Sequence, residues 1–148
     1  MSSNITWILV ADASRARLFA SEGGSGPWAA VDALVHPESR AKGIDLAADR
    51  PGRVQQRTTE GRASMEAHTH PKEVEAEQFA HELAARLHAG HGDGSYRDVV
   101  LVAPPHFLGL LRGALDEQVA RKVRASVDKD LTFVPDRELP ERLAGELG

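Results

Sequence analysis

ITWILVADASRARLFAS, residues 5–21, decides the fold. Ile5-Thr6-Trp7-Ile8-Leu9-Val10-Ala11 is a near-continuous apolar run, the pattern of a central strand covered on both faces. Asp12-Ala13-Ser14 supplies a tight turn, because Asp and Ser hydrogen-bond the backbone ahead of them. Ala16 to Ser21 returns as a second strand, with Leu18 and Ala20 on one face and Arg17 and Phe19 on the other. Gly23-Gly24-Ser25-Gly26-Pro27 is a turn cluster. Trp28 to His36 reads as a third strand, in which Val31, Ala33 and Val35 alternate with Asp32 and Leu34. Three strands joined by short turns make an antiparallel meander.

The period changes farther along. Pro37 to Lys72 is a stretch of about 36 residues without sustained periodicity. Loops longer than roughly 12–15 residues are uncommon in compact domains and are usually functional or disordered. A helix follows from near Pro71, which suits a first helical position, with Glu73 in the dipole-favoured first turn and His70 as N-cap. Ala76, Phe79, Ala80, Leu83, Ala84 and Leu87 form one apolar stripe at helical spacing. Gly90 is the expected stop. After the loop His91–Ser95, Asp98 to Ala103 is a second strand of the buried kind. Pro104-Pro105 ends it and begins a short helix, Phe107 to Leu115, where Gly109 and Gly113 share a face and offer close approach to another backbone. Asp116 caps the next turns, through Arg121. Val123 to Val127 is an edge strand. A final helix is expected from about Pro135 to Leu147, started or kinked by Pro140.

The order is β-β-β, loop, α, β, α, β, α. It predicts one α/β domain over residues 1–148, a three-layer α/β/α sandwich on a mixed five-stranded sheet. The two apolar strands belong in the middle. Right-handed crossovers then give the order 3-2-1-4-5 with strand 2 antiparallel, a ribonuclease H-like topology.

The chain has 148 residues and no cysteine, which excludes disulfides and thiolate metal sites. The start lacks a basic n-region, and its apolar run is far short of a membrane span, so a soluble cytoplasmic protein without membrane contact is expected. The net charge of −4 makes no whole-protein case for nucleic acid, but the charge is segregated. Pro37 to Lys72 holds seven Lys/Arg and five Asp/Glu, against eleven and seventeen in the rest. Such a segment can bind an anion or dock on its own acidic body.

The candidate chemistry is sparse. A two-metal nuclease needs several carboxylates converging near the sheet centre. Asp12 ends the first strand and is well placed. The fourth strand exits through Ala103-Pro104-Pro105 without one, Asp98 lies at the opposite end, and Glu73, Glu75 and Glu77 read as ordinary first-turn residues. His68-Thr69-His70 is the best histidine pair, with Asp45, Asp49 or His36 able to approach it, but no tight ligand set exists. No cofactor or metal is expected. Ser64 and His68 lack a nucleophile-elbow setting. The sharpest local motif is Asp49-Arg50-Pro51-Gly52-Arg53. Proline and glycine restrain the turn and display two guanidinium forks suited to phosphate or carboxylate. Those arginines serve either an anionic partner or, held by Asp49 or Asp45, the shape of the loop itself.

At these residues the chain resembles the bacterial host attachment protein family, named for attachment to host cells. The matching pieces are Trp7–Asp12 with Ala16–Phe19, His36-Pro37, Asp45-Leu46, Asp49–Arg53 and Pro71–Glu73 with Phe79-Ala80. Leu101–Pro105 with Phe107–Gly109, and Asp128–Thr132, complete the set, which covers essentially the whole chain. The family often shows an acidic residue where His70 stands. More remotely, the family is similar to the middle domain of archaeal and eukaryotic peptide-release factors and Pelota, which has the topology derived above. In the release factors the loop after the third strand carries Gly-Gly-Gln. Here that loop has Gly52-Arg53-Val54-Gln55-Gln56 instead, so release by that mechanism is not implied. The resemblance and the charge pattern together point to a non-enzymatic binding protein acting through residues 45–62, and the residues themselves offer Asp12, Asp45, Asp49, Arg50, Arg53, Arg57 and Arg62 as contact residues. The partner is an unidentified macromolecule, with ribosome or RNA as the second reading. An enzyme using Asp12 or the histidines is a third reading. Homo-oligomerisation is left open.

Overall fold

The computed structural model describes residues 4–36 and 71–147. Five strands form one mixed sheet: β1 (Ile5–Ala11), β2 (Arg15–Glu22), β3 (Trp28–Val35), β4 (Asp98–Val102) and β5 (Val123–Val127). Their order is β3-β2-β1-β4-β5. β1 pairs antiparallel with β2 and parallel with β4; β2–β3 is antiparallel and β4–β5 parallel. This is the α/β order 3-2-1-4-5 expected from the sequence.

The apolar run of β1 follows from its central place. Trp7, Leu9 and Ala11 face one layer, with Leu18, Val99 and Leu101. That layer is α1 (Pro71–Gly92), α2 (Pro105–Ala114) and α3 (Glu117–Ala120), through Phe79, Leu83, Leu87, Phe107, Leu111 and Val119. Ile8 and Val10 face the other way, with Phe19, Val100 and Val102, beneath Leu131, Val134, Leu139 and Leu143. Asp116 caps α3, its side chain accepting from the Val119 N–H at 2.8 Å.

Four expectations need correction. The second covering layer is not one helix. A 3-10 turn (Asp136–Glu138) leads into two single-turn helices, α4 (Leu139–Arg142) and α5 (Ala144–Leu147). Pro140 sits in the first turn of α4, where it starts a helix but cannot continue one, and Leu143 breaks helical geometry at φ −106°, ψ 6°.

Gly90 does not stop α1, which runs on to Gly92. Instead the helix touches β1 there. A Cβ at Gly90 would lie 2.4 Å from Trp7 Cη2 and 3.1 Å from Tyr96 Cε2. Gly109 and Gly113 meet nothing within 4 Å, so they admit no other backbone among the described residues.

The alternation of β3 is interrupted. Leu18 pairs with Asp32 while Phe19 pairs with Ala30, so Val31 is an extra, bulged residue. Past it, Asp32 and Leu34 turn to the helical layer and Ala33 and Val35 to the other face. β5 bulges likewise at Arg124, between the pairs Val99–Val123 and Val100–Ala125. Both edges of the sheet are thus bent away from ladder geometry, a common defence against edge-to-edge pairing.

Candidate functional site

The β1–β2 turn, the end of β3, the start of α1 and the turn after β5 meet at one end of the sheet. Asp12 lies at their centre, as expected from its place after β1. Its Oδ1 accepts from the backbone N–H groups of Ser14 (2.8 Å) and Arg15 (3.0 Å). Its Oδ2 accepts from the Thr132 hydroxyl at 3.0 Å, with Arg15 Nε at 3.8 Å. The Thr132 hydroxyl also lies 2.7 Å from Asp130 Oδ1. The short polar side chain therefore folds the turn and ties it to the segment after β5. Asp98, the other strand carboxylate considered, lies at the far end of the sheet and accepts from Thr6 Oγ1 at 2.6 Å. Among the described residues no group of three or more His, Cys, Asp or Glu is arranged to hold a metal ion.

Arg17 was legible from the sequence only as a residue facing away from Leu18. Its guanidinium donates to the carbonyls of Leu131 (3.1 Å), Thr132 (2.9 Å) and Val134 (2.8 Å), and to Asp136 at 2.5 Å. One planar fork thus satisfies three carbonyls that no strand or helix would have paired. The Leu131–Val134 turn is fixed over β2 as a result.

His36 and Glu75 were not singled out together by sequence reasoning. His36 is the last described residue before the 37–70 segment and is buried. Its backbone N–H donates to the Ser14 carbonyl at 2.9 Å. Its Nε2 lies 2.8 Å from Glu75 Oε1, and its Nδ1 lies 3.4 Å from Glu82 Oε2. The ring packs on Phe79 with centroids 5.4 Å apart. Glu75 is only 5% exposed, unlike an ordinary first-turn carboxylate. The signal existed: Glu75 sits four residues before Phe79, on the row that continues through Leu83 and Leu87, so it is a polar residue in an apolar stripe.

Other polar pairs brace the same helices. His106 Nε2 lies 3.0 Å from both oxygens of Glu73, joining α2 to α1. His88 Nδ1 meets Asp116 Oδ2 at 2.5 Å. The Val119 N–H, and beyond it His88, hold the Asp116 carboxyl below the usual carboxylate range. On the strand side, Arg86 Nε donates to Asp32 Oδ2 at 2.9 Å and holds that carboxyl down in the same way.

Of the expected contact residues the structure describes Asp12 only. Asp45, Asp49, Arg50, Arg53, Arg57 and Arg62 lie outside the described residues, as does the His68–His70 pair.

The chain belongs to the family described as "Protein required for attachment to host cells", whose model matches residues 7–143. No curated protein matches it in sequence. A crystal structure of an archaeal translation termination factor is similar over 97% of this chain and 38% of its own, at 12% identity and a TM-score of 0.47. A structure described as an archaeal protein is similar over 97% of this chain and 37% of its own, at 11% identity and a TM-score of 0.42. The chain spans little more than a third of either structure's length, and the fold assignment rests on the observed strand order rather than on these likenesses. Among the described residues no helix is long and apolar enough to cross a membrane.

Proposed function

We propose that the chain is a non-enzymatic, cytoplasmic binding protein whose contact surface is the basic segment 45–62. This is in keeping with the attachment role for which the family is named. Arg50, Arg53, Arg57 and Arg62 make the contacts, Asp45 and Asp49 shape their display, and Asp12, which orders the β1–β2 turn, adds a carboxylate contact. The observation that carries the reading is the His36–Glu75 contact of 2.8 Å, buried in the core. These two residues lie on either side of the segment in the chain, so the contact joins the end of β3 to the start of α1. Fixing the ends of a segment lowers the entropy cost of presenting it to a partner. Affinity capture from an extract of the native cells, with the full chain and with a chain lacking residues 45–62, tests the proposal. A partner recovered by the first and lost by the second is expected. The same recovery by both overturns it.

A second reading, that the partner is the ribosome or a structured RNA, is favoured by charge: Arg40 to Arg62 holds six Lys/Arg against three Asp/Glu. Phosphate contacts release counterions, so such binding falls steeply with salt. Co-sedimentation with ribosomes at low salt, lost as salt rises, is expected on this reading. No co-sedimentation at low salt contradicts it.

A further inference from the structure

A groove of about 290 Å³ opens between the outer half of the sheet and the Leu131–Val134 turn. Val10, Ala33 and Val35 give it apolar side chains, the backbone of Ala16 and Leu34 its floor, and Thr132 its far wall. The large apolar side chains most exposed among the described residues are Val31, Val35 and Phe133, at 37%, 52% and 68%. Val35 lines the groove, and Phe133 follows Thr132. The central strands are covered on both faces, while β3 stays largely exposed along this corner.

The charged residues lining the groove are Arg15 and Arg17. Arg17 is committed to three carbonyls and Asp136. Arg15 is different. Its side chain is 55% exposed, and its nearest carboxylate, Asp12 Oδ2, lies 3.8 Å away, beyond hydrogen-bond distance. That oxygen already accepts from Thr132. Among the described residues the Arg15 guanidinium is thus left with donors to offer at the mouth of an apolar groove.

We propose that this groove is a binding site for a small carboxylate with an apolar body, such as a medium-length acyl chain or an arylalkyl acid. The carboxylate meets the Arg15 fork, and the apolar body lies on Ala33 and Val35. The volume sits at the lower edge of the range for ligand pockets, which limits the ligand to a small molecule. The Arg17 hydrogen bonds hold the far wall in place before the ligand arrives, so little ordering remains to oppose binding. A neutral ligand gains only an uncharged hydrogen bond from Arg15, and a cation is repelled by it. The site makes no use of segment 45–62 and stands independently of its proposed role.

The test is a titration of the full chain, followed by amide NMR shifts, with hexanoate, 4-phenylbutyrate and their matching neutral amides. Saturable shifts at Ala16, Arg17, Ala33–Val35 and Thr132 are expected for the acids. The amides should bind at least about fivefold more weakly, a difference of about 1 kcal/mol. Arg15→Gln should erase the preference for acids, and Arg15→Lys should restore part of it. Ala33→Phe, at an exposed position, should block both acid and amide without unfolding the chain. The proposal is overturned if the acids cause no saturable shifts, if shifts spread over other faces, or if Arg15→Gln keeps the preference. Binding of a Leu-terminated peptide with a free carboxylate, where neither small acid binds, would also overturn it and would assign the groove to a peptide end.

Discussion

Gly90 occupies a helix interior where alanine would ordinarily be favoured by about 0.8–1 kcal/mol. The Trp7 ring stands in the space a side chain would need. It is held there by Tyr96, with ring centroids 4.7 Å apart, and by the Arg86 guanidinium 5.2 Å above its face. Overpacking of this kind costs typically 1–3 kcal/mol. Gly90→Ala should therefore destabilise the chain, by up to about 2 kcal/mol net. Gly92→Ala, with nothing within 4 Å, should not. Urea unfolding of the pair would separate contact from propensity. Tyr96 gives a second residue-scale test. Its hydroxyl donates to the Leu87 carbonyl at 2.6 Å. Burial, aided by the nearby Asp116 charge, pushes its pKa from 10.0 up to about 12. The raised folded value means that Tyr96 contributes its stability fully below pH 10, and loses it as pH rises toward about 12. Tyr96→Phe should flatten the alkaline decline of stability in that window. An unchanged slope would assign the decline to other groups.

At the scale of elements, α1 is the most informative. Its apolar stripe was legible because helical spacing repeats across it, and every expected member is buried. Its exceptions, Glu75 and Gly90, were not read correctly, because each is explained by a residue distant in sequence. Glu75 is buried by His36 and Gly90 is required by Trp7. Neither partner is visible from local pattern. Breaking the His36–Glu75 contact by Glu75→Ala should cost about 2–3 kcal/mol, since a buried polar group is then left unpaired. His36→Phe combined with Glu75→Leu should recover most of that, because an apolar pair of similar volume carries no unpaired group. Denaturant titration of the single and double variants checks this. A neutral Glu75→Ala would show the contact to be incidental.

Over the whole molecule, the strand order was readable because β1 and β4 are apolar on both faces and connection rules leave few other arrangements. The bulges at Val31 and Arg124 were not, since they arise from pairing rather than from composition. The thin C-terminal layer was misread as one helix because Leu139 and Leu143 have helical spacing, while Pro140 and Gly145 interrupt it. The candidate site was legible in part. Asp12 was found from its strand-end position. Arg17 was not, and His36 was read only as a neighbour for the His68–His70 pair, because their work is done on backbone groups and carboxylates far along the chain. The basic segment is the feature that charge segregation marked most clearly.

The central claim is that arginines of this segment make the contact with the partner. Capture from native extract with Arg50, Arg53 and Arg57 together replaced by alanine tests it most directly. A matched variant, with Arg121, Arg137 and Arg142 replaced instead, controls for lost charge. Loss of the partner with the first variant and its retention with the second is the predicted result; equal capture by both would contradict the account.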